Sequence, residues 1–320
     1  MDIPTGDLDL LAIGEIVVDM ISVEETQDLG DAFTFRKYQG GAPANIAGYV
    51  AKLAGISAVI SKTGVGAFGQ FLKAELERAS VLTDYLVMDN RVQTTIIFIT
   101  RSQDIADSEA YRNGDYQLRP EDINEDAVRR AKVVHASTFA LSCEPCRGAI
   151  ERAFQIAQEH RKIISLDPNY NPAIWPQRKE AREVLRRMFR YATISKPSLE
   201  DAERIFGSGK TPEDYIRLFH EMGPNTIVFT MGADGIILSQ EGKMSHIPAR
   251  PVTVADATGA GDAFWAGFLV AMLDHYPLRD CALIGRELVE RKLTTVGTLP
   301  DFIDREELYS RARERTGDEL

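Results

Sequence analysis

Asp256-Ala-Thr-Gly-Ala-Gly-Asp-Ala-Phe264 joins a strand-like run, Val252-Thr-Val254, to a stretch of helical period. Beyond Asp262, Phe264, Phe268 and Met272 recur every four residues, as do Trp265, Leu269 and Leu273. The two rows form one broad apolar face that suits a helix lying on a sheet. Strand, glycine-rich turn and helix, in that order, make one unit of a layered α/β fold. The turn also has chemical potential. Small residues at a helix start leave backbone N–H groups unobstructed, and the helix dipole adds positive potential, so a phosphate group fits there. An aspartate set directly on that phosphate would repel it. Asp262 therefore belongs beside the anion, where it can accept the proton of an attacking hydroxyl. A glycine turn with Asp262 as helix cap fits the spacing equally well.

Outward from this segment, short β-branched runs alternate with amphipathic stretches. Strands are expected near 10–18, 58–63, 133–136, 163–166, 193–195 and 226–230. Helices are expected near 44–54, 68–79, 145–160, 178–190, 212–222, 263–273 and 279–292. That alternation predicts an α/β fold with a doubly wound, mainly parallel sheet flanked by helices. Two segments interrupt it. Residues 20–39 contain Ala32-Phe-Thr-Phe-Arg-Lys-Tyr38, and residues 92–118 contain Thr94-Thr-Ile-Ile-Phe-Ile-Thr100 and Glu109-Ala-Tyr-Arg112. Both read as strands without an intervening helix, and together they predict a small β-sheet lid. With no linker or repeat in view, one domain covering 1–320 is expected, and 311–320 reads as a solvated tail.

Composition excludes several classes. The net charge of −11 opposes binding to nucleic acid, which needs clustered Lys and Arg. No stretch reaches the roughly 18 apolar residues of a membrane span. The opening MDIPTGDLDLL is acidic where a secretory leader is basic, so a cytoplasmic location is expected. Cys143, Cys146 and Cys281 are too few for a disulfide framework, and the lone C-x-x-C lacks further zinc ligands. The glycine segment does not match a Walker loop, which requires G-x-x-x-x-G-K-[ST]. Gly64-Val-Gly-Ala-Phe-Gly69 spells a dinucleotide motif, but no acidic residue follows at the proper place.

Four segments in order resemble the ribokinase-like (PfkB) carbohydrate kinases. Asp256–Phe264 is similar to that family's D-[TA]-x-G-A-G-D-x-F signature, and Gly40-Gly-Ala-Pro-Ala-Asn45 resembles its N-terminal signature in fructokinase spelling. Gly14-Glu-Ile-Val-Val-Asp19 resembles its first strand, and Thr230-Met-Gly-Ala-Asp-Gly235 its nucleotide loop. The resemblance implies an ATP-dependent sugar kinase with Mg²⁺. Asp262 is then the general base, with Gly259, Ala260 and Gly261 stabilising the transferred phosphoryl group. Asp19, Gly40, Gly41 and Asn45 hold the sugar, while Lys196, Thr230 and Gly232 line ATP and Gly235 serves the turn. Asp256 and the Thr258 carbonyl are implied to bind a monovalent cation, potassium. A homodimer through the lid is also implied, and the apolar Ile96 and Phe98 agree with it.

This chain departs from the pattern in places. Ser198 and Asp201 stand where the family carries N-x-x-E, leaving Asp201 to reach Mg²⁺ through water. Tyr111-Arg112-Asn113 resembles the fructokinase F-Y-R-N segment, which implies sugar contacts from Tyr111 and Arg112. Asp167-Pro-Asn169 resembles D-x-N-x-R-x-x-x-W and adds Asn169 to the sugar side, but Asn171 replaces the arginine. That loss of charge favours fructose over 2-keto-3-deoxygluconate, with ribose or a nucleoside third. A non-catalytic sugar sensor would have no use for Asp262 and its glycines.

Overall fold

The computed structural model describes residues 2–101, 107–175, 177–255, 257–295 and 299–317. In chain order the strands are β1 (Leu8–Ile13), β2 (Val17–Glu25), β3 (Phe35–Gly40), β4 (Ser57–Gly64) and β5 (Leu86–Asp89). Next come β6 (Ile96–Arg101), β7 (Ser108–Tyr111), β8 (Ala131–Ser137) and β9 (Ile163–Asp167). They are followed by β10 (Ile194–Ser195), β11 (Thr226–Thr230), β12 (Ile236–Gln240) and β13 (Lys243–Ile247). The helices begin with α1 (Ala42–Lys52), α2 (Ala67–Arg78), α3 (Glu125–Arg130), α4 (Cys146–Glu159) and α5 (Arg178–Phe189). The rest are α6 (Leu199–Phe206), α7 (Pro212–Met222), α8 (Ala260–Leu273), α9 (Leu278–Leu293) and α10 (Arg305–Gly317).

Among the described residues the strands form two sheets. The larger has nine strands in the order β13-β12-β11-β10-β9-β8-β1-β4-β5, and the smaller has four in the order β3-β2-β6-β7. From β5 to β11 every pairing in the large sheet is parallel, and β12 and β13 add an antiparallel edge. Helices cover both faces because alternate strand residues are buried on opposite sides. Leu10 and Ala12 join α1, α8 and α9 in one core, whereas Leu11 and Ile13 join α4, α5 and α7 in the other. The strand order reverses around β1, and in such sheets the crevice beyond the strand C-termini at that point is where ligands bind.

The expected fold class holds, with local corrections. The strand expected over 10–18 breaks at Gly14, whose φ of 140° lies where side chains are strained. That break leaves β1 in the large sheet and sends β2 into the small one. Residues 252–254, expected as a strand, are irregular, since Pro248 and Pro251 beside the edge strand β13 cannot donate to a ladder. The helix after Asp262 is apolar all round rather than on one face, because α8 lies between the sheet, α1 and α9. At the α8–α9 crossing Gly267 and Gly285 permit close approach: a Cβ on Gly285 would stand 2.7 Å from the Phe264 carbonyl oxygen. The expected C-terminal tail is largely helix α10, which buries Leu308, Tyr309 and Ala312; Tyr309 donates to Asp274 at 2.6 Å. Among the described residues no helix is long and apolar enough to cross a membrane.

Candidate active site

Beyond the C-terminal ends of β1, β8, β9 and β10 the chain brings side chains distant in sequence together. Asp19 enters on β2, next to the turn that carries β3 into α1. Two glycines make that turn possible. A Cβ on Gly40 would lie 2.0 Å from Asp19 Oδ2, and one on Gly41 would lie 2.5 Å from the Glu15 carbonyl oxygen. Gly41 also has φ of 97°, so it serves as helix cap without a side chain. One turn into α1, Asn45 donates from Nδ2 to Asp262 Oδ2 at 2.9 Å. Its Oδ1 accepts from Gln39 Nε2, also at 2.9 Å.

Asp262 is not the cap of α8. Gly259, left-handed at φ 71°, caps the helix, and Ala260, Gly261 and Asp262 form its first turn. The Ala260 N–H already donates to the Ala257 carbonyl oxygen at 3.1 Å, while first-turn N–H groups in general lack intrahelical acceptors and suit an anion. Behind them stands Lys196, whose Nζ would be 3.6 Å from a Cβ on Gly261. Lys196 is buried and pairs with Asp167 at 2.9 Å. Burial works against its ammonium, but Asp167, Asp201 and Asp262 overcome that and keep it charged. The Asp262 carboxylate is only partly accessible. Loss of hydration pushes it up to about 7; the Asn45 hydrogen bond lowers it, the Asp167 charge raises it and Lys196 lowers it. Burial also pushes Asp19 up to about 7, with further repulsion from Asp262. A carboxylate that titrates near neutrality beside anion donors and a fixed cation is suited to taking a proton during phosphoryl transfer.

The remaining expected residues divide. Thr230 ends β11 and bridges to Ser198, while Gly232 opens the following turn with free space around it. Gly235 only shapes that turn, because a Cβ there would meet the Ile247 carbonyl oxygen at 2.3 Å. Thr258 is exposed just before the helix cap, and Asp256 lies outside the described residues. Tyr111 is 59% exposed and meets Phe98 edge-on. Asn169 has φ of 33° and is exposed, with its N–H donating to Asp167 at 3.2 Å.

Two expectations need revising. Arg112 directs its guanidinium away from a ligand role: Nε and Nη2 donate to Asp115 at 2.9 and 2.6 Å, and Nη1 donates to Ser142 at 2.7 Å. Its plane also lies over Phe139. Asp201 is buried as the third residue of α6, in a capping box with Ser198, and it accepts the Tyr170 N–H at 2.7 Å. Oδ2 accepts from the Ser198 N–H and hydroxyl and Oδ1 from the Tyr170 N–H, so this carboxylate serves the local fold. Sequence reasoning passed over Asp167 as the partner of Lys196, although it opens a quoted motif, and over Gln39, which directly precedes the paired glycines.

Comparisons with known proteins agree with the fold and give the family. A family model described as pfkB family carbohydrate kinase matches residues 7–301. An ATP-dependent 6-phosphofructokinase of Thermoanaerobacterium thermosaccharolyticum is 34% identical over 300 residues, covering 92% of this chain and 91% of that protein. Fructokinase-1 of Zea mays is 32% identical over 263 residues, 81% of each chain. The solved fructokinase of Halothermothrix orenii superposes with a TM-score of 0.79 at 34% identity, covering 91% of this chain and all of that one. An uncharacterised sugar kinase of Pyrococcus horikoshii, solved with ATP, gives 0.83 at 29% identity over 95% and 99% of the two chains.

Proposed function

The chain belongs to the pfkB family of carbohydrate kinases, and on that premise we propose that it transfers the γ-phosphate of ATP to fructose, forming fructose 6-phosphate. The observation that carries this reading is Asp262, a carboxylate raised toward neutrality beside the α8 N-terminus and held by Asn45. Asp19, Asn45, Asn169 and Tyr111 bond the sugar, and Gly40 and Gly41 let backbone approach it. Asp262 takes the proton of the attacking hydroxyl, the oxygen attacks the γ-phosphorus, and ADP departs. The N–H groups around Gly259, Ala260 and Gly261, with Lys196, stabilise charge gathering on the phosphoryl oxygens. Thr230 and Gly232 lie along the nucleotide. Magnesium would be bound chiefly through the phosphates of ATP, a mode that needs few protein carboxylates, and would offset their charge. The Thr258 carbonyl and Asp256 would hold potassium, which would add positive charge beside the anion site.

The relative named 6-phosphofructokinase raises a second reading, a phosphorylated sugar. A sugar phosphate or an acid sugar needs a cation to meet its anionic group. Arg112, expected to supply it, is already neutralised by Asp115, and Asn171 is uncharged, so a neutral ketose fits better. A coupled ADP-release assay over fructose, fructose 6-phosphate, tagatose, ribose, 2-keto-3-deoxygluconate and adenosine tests this. Fructose is expected to give the highest kcat/KM. A higher value for fructose 6-phosphate or the keto acid would displace the proposal.

The small sheet acts as a lid and, we infer, as a dimer interface. Strand register sets Asp19, Ile97 and Ala110 side by side on one face and Met20, Phe98 and Glu109 on the other. Ile97, Ile99 and Phe98 are all partly exposed, so both faces carry apolar side chains, more than one covered face requires. Light scattering at micromolar concentration is expected to give twice the chain mass, and a monomer there would sink the idea. A cytoplasmic setting suits its need for ATP and its free thiols at Cys143, Cys146 and Cys281.

A further inference from the structure

We propose that Gln39, on β3, is a positioning residue that fixes the orientation of the Asn45 amide and thereby holds the Asp262 carboxylate ready to receive a proton. The inference rests on the reading of Asp262 as the base. An ionised carboxylate only accepts hydrogen bonds. Asn45 must therefore turn Nδ2 toward Asp262 and Oδ1 away from it, and Oδ1 needs a donor to keep it there. Gln39 Nε2 supplies that donor at 2.9 Å. Its amide is fixed in turn, because Nε2 also donates to the Gly40 carbonyl oxygen at 3.0 Å. The chain of bonds runs from the small sheet through the first turn of α1 to the first turn of α8, and each link permits one orientation of the next. Were the Asn45 amide reversed, its oxygen would face the carboxylate and repel it.

The other groups around Asp262 set the size of the effect. Lys196 and Asp167 face it from the large sheet, and Asp19 faces it from β2. The Tyr49 hydroxyl on α1 stands near Gly259, 3.5 Å from the place of a Cβ there. Asp167 and Asp19 repel the ionised form, while Asn45 and Lys196 favour it, Asn45 the more strongly. Disturbing Asn45 therefore removes the main local support for the charge on Asp262.

Gln39→Glu and Gln39→Met test this beside the wild type and Asp262→Asn. The Glu variant keeps the shape but offers acceptors, so Asn45 turns its Nδ2 away from Asp262. Its kcat is expected to fall by about tenfold or more, and the acidic limb of its pH profile to move up by about one unit. The Met variant removes the donor without adding charge, so its limb moves the same way with a smaller loss. The ATP KM and melting temperature stay near wild type. Wild-type kcat and pH limb in both variants would overturn the proposal. So would a loss of kcat with a lowered melting temperature and an unmoved limb, which marks a purely structural residue. A raised sugar KM at constant kcat would make Gln39 a sugar ligand instead. If Asp262→Asn loses turnover while both Gln39 variants keep it, this inference alone fails; if Asp262→Asn keeps turnover, the base assignment fails with it.

Discussion

Asp262→Asn is expected to lower turnover by roughly 10²- to 10⁴-fold, or about 3 to 5 kcal/mol of barrier. The amide preserves volume and can still accept the Asn45 hydrogen bond through its oxygen, so the site keeps its shape. It cannot accept the hydroxyl proton. The interaction lost belongs to the transition state, and the Michaelis constants should move far less than kcat. Stability gives an independent sign. The native carboxyl titrates near 7 against an ordinary 3.8, so between those values the folded chain holds a proton that the unfolded chain has released. The stability of the wild type therefore falls as pH rises through that window. The full shift corresponds to at most about 4 kcal/mol, less because water partly reaches the carboxylate. At pH 8 the Asn variant should melt above the wild type, and at pH 4 the two should converge. A variant that kept more than about a tenth of wild-type turnover would remove Asp262 from the role of base.

Asp19→Asn should act on the sugar rather than on the chemical step. A charged acceptor for hydroxyl groups contributes about 1.5 to 3 kcal/mol, so the fructose KM should rise by roughly 10- to 100-fold. The ATP KM should stay constant. Asp19 and Asp262 repel each other when ionised, so removing the first charge helps the second to ionise. The acidic limb of kcat should then move down, opposite to the shift expected for Gln39→Glu. A fructose KM within about threefold of wild type would remove Asp19 from the sugar site.

How far the fold and site could be read from the chain follows from what local sequence encodes. Periodicity exposed the strands and helices of the sheet, and four glycine-bearing segments in order marked the family, because turns and close approaches restrict residue choice locally. The partners of a side chain are not local. Asp115 stands only three residues beyond Arg112, but nothing local says that Ser142 and Phe139 will complete the enclosure of its guanidinium, so its charge looked available. Asp201 fell in a motif position yet closes a capping box, since Ser198 three residues earlier offers it that bond. Helix α10 was missed because its buried residues, Leu308, Tyr309 and Ala312, are scattered among charges and make a thin apolar stripe. Gln39 lies beside a recognised motif, but its role appears only once β3 and α1 fold against each other.

The docking of α10 has a consequence for how the chain reaches this state. Lys52, at the end of α1, donates to the Leu299 carbonyl oxygen across 247 positions, and Arg305 reaches the Leu53 carbonyl oxygen across 252. The bond between Asn45 and Asp262 spans 217. Contacts so remote in sequence make for slow folding, because a long loop must close before its contacts form. During translation, the apolar side of α1 emerges long before α8 and α10 exist to cover it. A nascent chain therefore carries an open flank through most of its synthesis, a state prone to aggregation and suited to chaperone capture. The active site, assembled from both ends, is among the last parts of the molecule to form.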